Sequence, residues 1–83
     1  MQRPTHAAVV WWDDAWDSHG SATPKSDGPY PRVSSGLLIQ DDEKGVCLAG
    51  TYDPPDKSID GRTFIPRAVV QRLLRYKIQW GKK

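Results

Sequence analysis

Cys47 is the chain's one cysteine among 83 residues, which excludes an internal disulfide, and with only two histidines no repeated metal-ligand spacing can be written. The usual staples of a small secreted domain are therefore missing, and a reducing cytosol is the compartment that fits. No apolar run approaches the ~18 residues that a membrane-crossing helix needs. Met1-Gln2-Arg3-Pro4 leads into a strand-like segment in place of a secretory signal, so the expectation is a soluble protein that is not exported. Clustered glycines before a helix are also lacking, which excludes a phosphate-cradling nucleotide loop.

Acidic residues are missing from the entire C-terminal quarter. All ten lie at or before Asp60, so residues 1 to 60 carry five Lys or Arg against ten acids, net −5, and residues 61 to 83 carry seven against none, net +7. The formal sum of +2 hides this division. Such asymmetry marks a surface that attracts something anionic, or two segments that attract each other within or between copies of the chain.

What is present is aromatic mass: four Trp, three Tyr and one Phe, enough burial area for one small core. The length suits a single domain. Thr5 to Trp12 is a short apolar run rich in β-formers and reads as a first strand. Two adjacent tryptophans on a strand point to opposite faces, so only one of Trp11 and Trp12 fills the inner side of a simple sheet. The other needs a cover: the C-terminal segment, a second subunit or a stacked ligand base.

A loop over about 17–31 follows, rich in Ser, Gly, Pro and Asp. Arg32 to Gln40 reads as one strand bent at Ser34-Ser35-Gly36. The polar turn Asp41-Asp42-Glu43-Lys44-Gly45 and the segment Val46 to Thr51 complete a hairpin. Tyr52 to Gly61 contains Pro54-Pro55 and reads as a second loop, and Arg62 to Ile65 as a short strand. Pro66 suits the first position of a helix over about 66–78, where Val69, Val70, Leu73 and Leu74 recur at helical spacing. Trp80 near the end is expected to dock on the body of the domain. The sum is an α+β fold: a small, strongly bent antiparallel sheet or partial barrel of 3–5 strands, in the manner of Sm-like barrels, with one C-terminal amphipathic helix; an open sheet backed by that helix is the alternative.

Catalytic constellations are not legible. Ser34 and Ser35 sit in a bend, Cys47 in a core strand, and only His6 and His19 are available as bases, so no enzyme is expected. Asp13, Asp14 and Asp17 lack the alternation of a calcium loop. No metal or cofactor is assigned. The binding features are Arg62, Arg67, Arg72 and Arg75, whose planar forks suit phosphate or carboxylate, together with Trp12 and Trp16 as rings for stacking or contact.

The steps Val9-Val10-Trp11-Trp12-Asp13-Asp14, Val33-Ser34-Ser35-Gly36-Leu37-Leu38-Ile39, Gly45-Val46-Cys47-Leu48-Ala49-Gly50 and Phe64-Ile65-Pro66-Arg67-Ala68-Val69-Val70 form a pattern. It resembles a group of short phage and prophage proteins with an early Trp-acid step, a Ser-x-Gly-apolar strand and an Ile-Pro-basic step near the end. The resemblance implies a non-enzymatic accessory protein in the cytoplasm of an infected bacterium, neutralising a host factor, most plausibly in defence. The arginines point to a nucleotide signal or an acidic host protein as the partner, with nucleic acid as a further candidate; the thin stability margin of so short a chain points to a homo-oligomer, and the lack of a long apolar run to no membrane. The other readings are a nucleic-acid-binding small barrel and a structural or assembly part of the virion.

Overall fold

A computed structural model describes residues 3–14 and 30–81. Seven strands are seen there: β1 (His6–Asp14), β2 (Tyr30–Asp41), β3 (Gly45–Ala49), β4 (Thr51–Asp53), β5 (Ser58–Asp60), β6 (Thr63–Pro66) and β7 (Val70–Lys77). A single 3-10 turn, Arg67–Val69, joins β6 to β7. Five strands form one antiparallel sheet in the order β6-β3-β2-β1-β7, and β4 and β5 form a separate hairpin. The first loop expectation, about 17–31, falls almost wholly outside the described residues, as does Trp16; Tyr30 and Pro31 already belong to β2.

β1, an interior strand of this sheet, carries the run Val9-Val10-Trp11-Trp12. β1 pairs on both sides, with β2 through Ala7↔Leu37 to Asp14↔Tyr30 and with β7 through His6↔Lys77 to Trp12↔Val70. Its inward residues Ala8 and Val10 are buried, and with Val46, Leu48 and Ile65 they make the core. Trp12, Leu38, Val69, Val70 and Leu73 pack against that cluster.

The bend expected at Ser34-Ser35-Gly36 does not interrupt β2, which runs unbroken from Tyr30 to Asp41 and keeps register with β1 through Gly36, but glycine at position 36 has a steric cause. A Cβ on Gly36 would stand 2.6 Å from the Ala49 carbonyl oxygen, so only glycine lets β2 pass this close to β3. A register shift between Leu38 and Gln40 adds to the curl, letting β2 serve β1 with its first part and β3 with its last.

The Asp41–Gly45 turn is also as expected. The main chains of Asp42 and Gly45 exchange hydrogen bonds of 3.1 and 3.2 Å. The Asp42 carboxylate accepts from Gln40 Nε2 (3.1 Å) and from the N–H groups of Lys44 (2.9 Å) and Gly45 (3.2 Å). The Gln40 amide first, and then the Lys44 N–H, hold this carboxyl below its ordinary range.

Three expectations fail. The C-terminal helix over 66–78 does not exist: Pro66 is extended (φ −59°, ψ 142°), the 3-10 turn lasts three residues, and Val70–Lys77 is a strand. The apolar pairs that imitate a helical stripe are the two faces of this strand, Leu73 opposite the buried Val10 and Leu74 opposite Val9, with an irregularity at Trp11/Trp12 that takes up Gln71. As a strand, the segment satisfies the second edge of β1, whose backbone groups a terminal helix would leave unpaired.

The partial Sm-like barrel of 3–5 strands is likewise replaced by an open five-stranded sheet with a separate two-stranded one, and among the described residues β6 and β7 end the larger sheet and do not pair with each other. The second loop contains the β4–β5 hairpin. Pro54-Pro55 occupy its turn, where no ladder donor is needed, and Lys57, at φ 58°, donates its N–H to the Asp53 carbonyl.

Trp80 does dock on the body. Its indole N–H donates to the Pro4 carbonyl (3.0 Å), its ring meets Tyr52 edge-on at 5.8 Å, and the Arg3 guanidinium lies 4.5 Å from its centroid. No helix among the described residues is long and apolar enough to cross a membrane.

Candidate binding face

The strand conformation of residues 70–77 separates the arginines that a helix would have gathered. Arg67, on the 3-10 turn, donates to the Asp41 carboxylate and, through Nε and Nη2, to the Asp42 carbonyl at 3.0 and 2.8 Å. Its own N–H donates to the Lys44 carbonyl at 3.1 Å. Arg75 reaches the other oxygen of Asp41 at 3.7 Å. Two of the expected anion-binding cations are therefore directed at the turn between β2 and β3, where they tie the two parts of the curled sheet together.

Arg72 takes the opposite direction. Alternation along β7 places it on the outer face, and its guanidinium lies 5.1 Å from the centroid of Trp11, its partner across the ladder. Arg62 is exposed and immediately precedes β6.

Following the register across the sheet shows what shares that outer face. β1 contributes Ala7, Val9 and Trp11; β2 contributes Val33, Ser35 and Leu37; β7 contributes Arg72, Leu74 and Tyr76. Phe64, opposite Cys47 and pointing away from the buried Ile65, extends the face onto β6. Val33, Phe64 and Tyr76 are 61%, 51% and 53% exposed. A solvated antiparallel face normally alternates to polar residues, so this apolar set is unusual for a surface facing water. Glycine is required beneath it: a Cβ at Gly45 would stand 2.5 Å from Phe64 Cζ.

The doubled tryptophan is resolved by the same parity. Trp12 is inward, packed on the core, with its indole N–H donating to Ser34 Oγ at 3.0 Å. It also borders an open hollow of about 450 Å³ with Asp14, Pro31, Arg32, Val33 and Ser34, in which Arg32 pairs with Asp14 at 2.8 Å. Trp11 is the outward ring.

Of the residues singled out from the sequence, Arg67 and Arg75 converge on Asp41, Arg72 joins the outer face, Arg62 lies toward its β6 end, and Trp12 is inward. Val33, Phe64 and Tyr76 carry no signal as single residues; their common face follows only from the register. Among the described residues no group of three His, Cys, Asp or Glu is placed to hold a metal ion. No family model, curated protein or solved structure matches the chain.

Proposed function

We propose that this is a non-enzymatic binding protein that engages an acidic protein partner through the outer face of its sheet, centred on Trp11 and Arg72. The observation that supports this reading is the cation stacked on an outward indole, set among exposed Val33, Phe64 and Tyr76. Aromatic residues and arginine dominate the energetics of protein interfaces, and an apolar face with Arg72 within it and Arg62 at its margin complements a partner with apolar contacts and carboxylates. Capture of a compact nucleotide is less well supported. Arg67 and Arg75 already face Asp41, and a base stacking on the Trp11 plane would have to displace Arg72. The resemblance to phage and prophage proteins makes a host factor of an infected bacterium, blocked by being covered, the class of partner in this reading.

The test is titration calorimetry of the whole protein against two panels: acidic bacterial proteins, and cyclic and linear nucleotides. The proposal expects micromolar or tighter binding within the first panel, weakened at least tenfold by Val33→Asp or Arg72→Ala and unaffected by Lys57→Ala on the β4–β5 turn. Binding to nucleotides alone, or protein binding indifferent to both face variants, overturns it.

A further inference from the structure

β7 ends the sheet with a free edge, and among the described residues no strand pairs with it. Its hydrogen-bonding parity follows from the Ile78 N–H, which donates to the Thr5 carbonyl at 2.9 Å. In an antiparallel ladder this makes Tyr76, Leu74 and Arg72 the bonded partners of Ala7, Val9 and Trp11, and turns the N–H and C=O groups of Leu73, Arg75 and Lys77 outward. The segment from Leu73 to Lys77 has no proline, and the register irregularity of β7 lies before it, at Gln71. Three cations, Arg72, Arg75 and Lys77, are what remains to discourage edge pairing.

We propose that this edge pairs with the same edge of a second copy of the chain, about a two-fold axis at Leu74. This contact shares Arg72 and Tyr76 with the partner-binding face proposed above, but it rests on the backbone edge of β7 and does not depend on that reading. The axis is selected by charge and by which backbone groups face out. With Leu74 opposite Leu74 of the second copy, the outward groups of Leu73 meet those of Arg75, and Gln71 falls opposite Lys77. On the outer face Arg72 falls opposite Tyr76, so a guanidinium with one side on Trp11 offers its other side to an exposed phenol ring. No like charges face each other. An axis at Arg75 would set that residue against itself, and an axis at Leu73 would move Tyr76 opposite Val70, where the strand begins. Pairing at Leu74 is isologous and closed, so it yields a dimer and not a filament. It also makes the outer faces of two copies continuous.

The experiment is sedimentation equilibrium of the full chain, without any partner, for the unaltered protein and for Tyr76→Lys and Leu74→Lys. The unaltered protein is expected to be a dimer. Tyr76→Lys places a lysine opposite Arg72, and Leu74→Lys places two lysines at the axis; each weakens dimerisation by about tenfold or more. Tyr76 is exposed, so its variant folds whether or not Leu74→Lys does. Mixing Leu74→Lys with Leu74→Glu restores a mixed dimer. In a Cys47→Ser background, Leu74→Cys cross-links two copies on mild oxidation, since unbonded antiparallel pairs bring Cα atoms within disulfide range. A monomer at all concentrations, or a dimer that survives both lysine variants and does not cross-link through position 74, overturns the proposal.

Discussion

Asp41 holds Arg67 on one carboxylate oxygen and Arg75 on the other, so one side chain at the end of β2 bridges the 3-10 turn and the edge strand β7. The acidic and basic segments of the chain attract each other here. This determines which cations remain for a partner and makes the pair a support for the curl of the open sheet.

Asp41→Asn is expected to lower stability by about 1 kcal/mol or less, since the groups are partly exposed and screened by water. Arg67→Ala costs more, because it also removes donors to the Asp42 carbonyl. Urea unfolding of both variants at low and high salt checks this: the Asp41 effect shrinks with salt, and the Arg67 effect shrinks less.

The Asp42 carboxylate contributes to stability only while ionised. Its folded pKa lies below the ordinary aspartate value, so the contribution is fully present above the unfolded pKa and is lost as pH falls through the folded one. A melting-temperature profile from neutral pH downward should fall in the acid range, and Asp42→Asn should flatten that part of the fall. An unchanged profile in the variant would contradict the turn geometry.

Gly36→Ala is expected to cost about 1–3 kcal/mol, because its new methyl meets backbone and not a movable side chain. At Gly45 the obstruction is partly the Phe64 ring and partly the Ile65 carbonyl, so Phe64→Ala should relieve Gly45→Ala in part. Thermal unfolding of the four proteins of that cycle measures the coupling.

The adjacent tryptophans should respond differently to truncation. Trp12→Ala removes an inward ring and leaves the Ser34 hydroxyl unpaired, with a loss of about 3–5 kcal/mol. Trp11→Ala is milder for stability and should weaken binding to an acidic partner. Equal losses in stability would contradict the assignment of faces.

Much of the sheet is legible in the chain. Val9-Val10-Trp11-Trp12 reads as a strand with two apolar faces and is one, Gly36 marks a close approach of two strands, and Asp42 with Gly45 marks the turn. The C-terminal segment is misread because Leu73-Leu74 fits a helical stripe and a two-faced strand equally well. The deciding fact is that β1 takes Val70–Lys77 as the partner along its second edge, which is a property of the whole sheet. Pro54-Pro55 excludes a ladder at two positions and says nothing of Tyr52 and Ile59, which pair around them. The site is less legible than the fold. Arg67 and Asp41 lie 26 residues apart, and no local pattern announces their contact or the common face of Val33, Phe64 and Tyr76.

The division of the arginines depends on residues 70–77 being a strand against β1. Proton NMR tests this directly through contacts between Hα atoms, which are close only across unbonded antiparallel pairs. The account predicts cross-peaks from Ala8 to Arg75 and from Val10 to Leu73. Helical contacts between each residue and the third one beyond it over 66–78, with no cross-strand peaks, would contradict it.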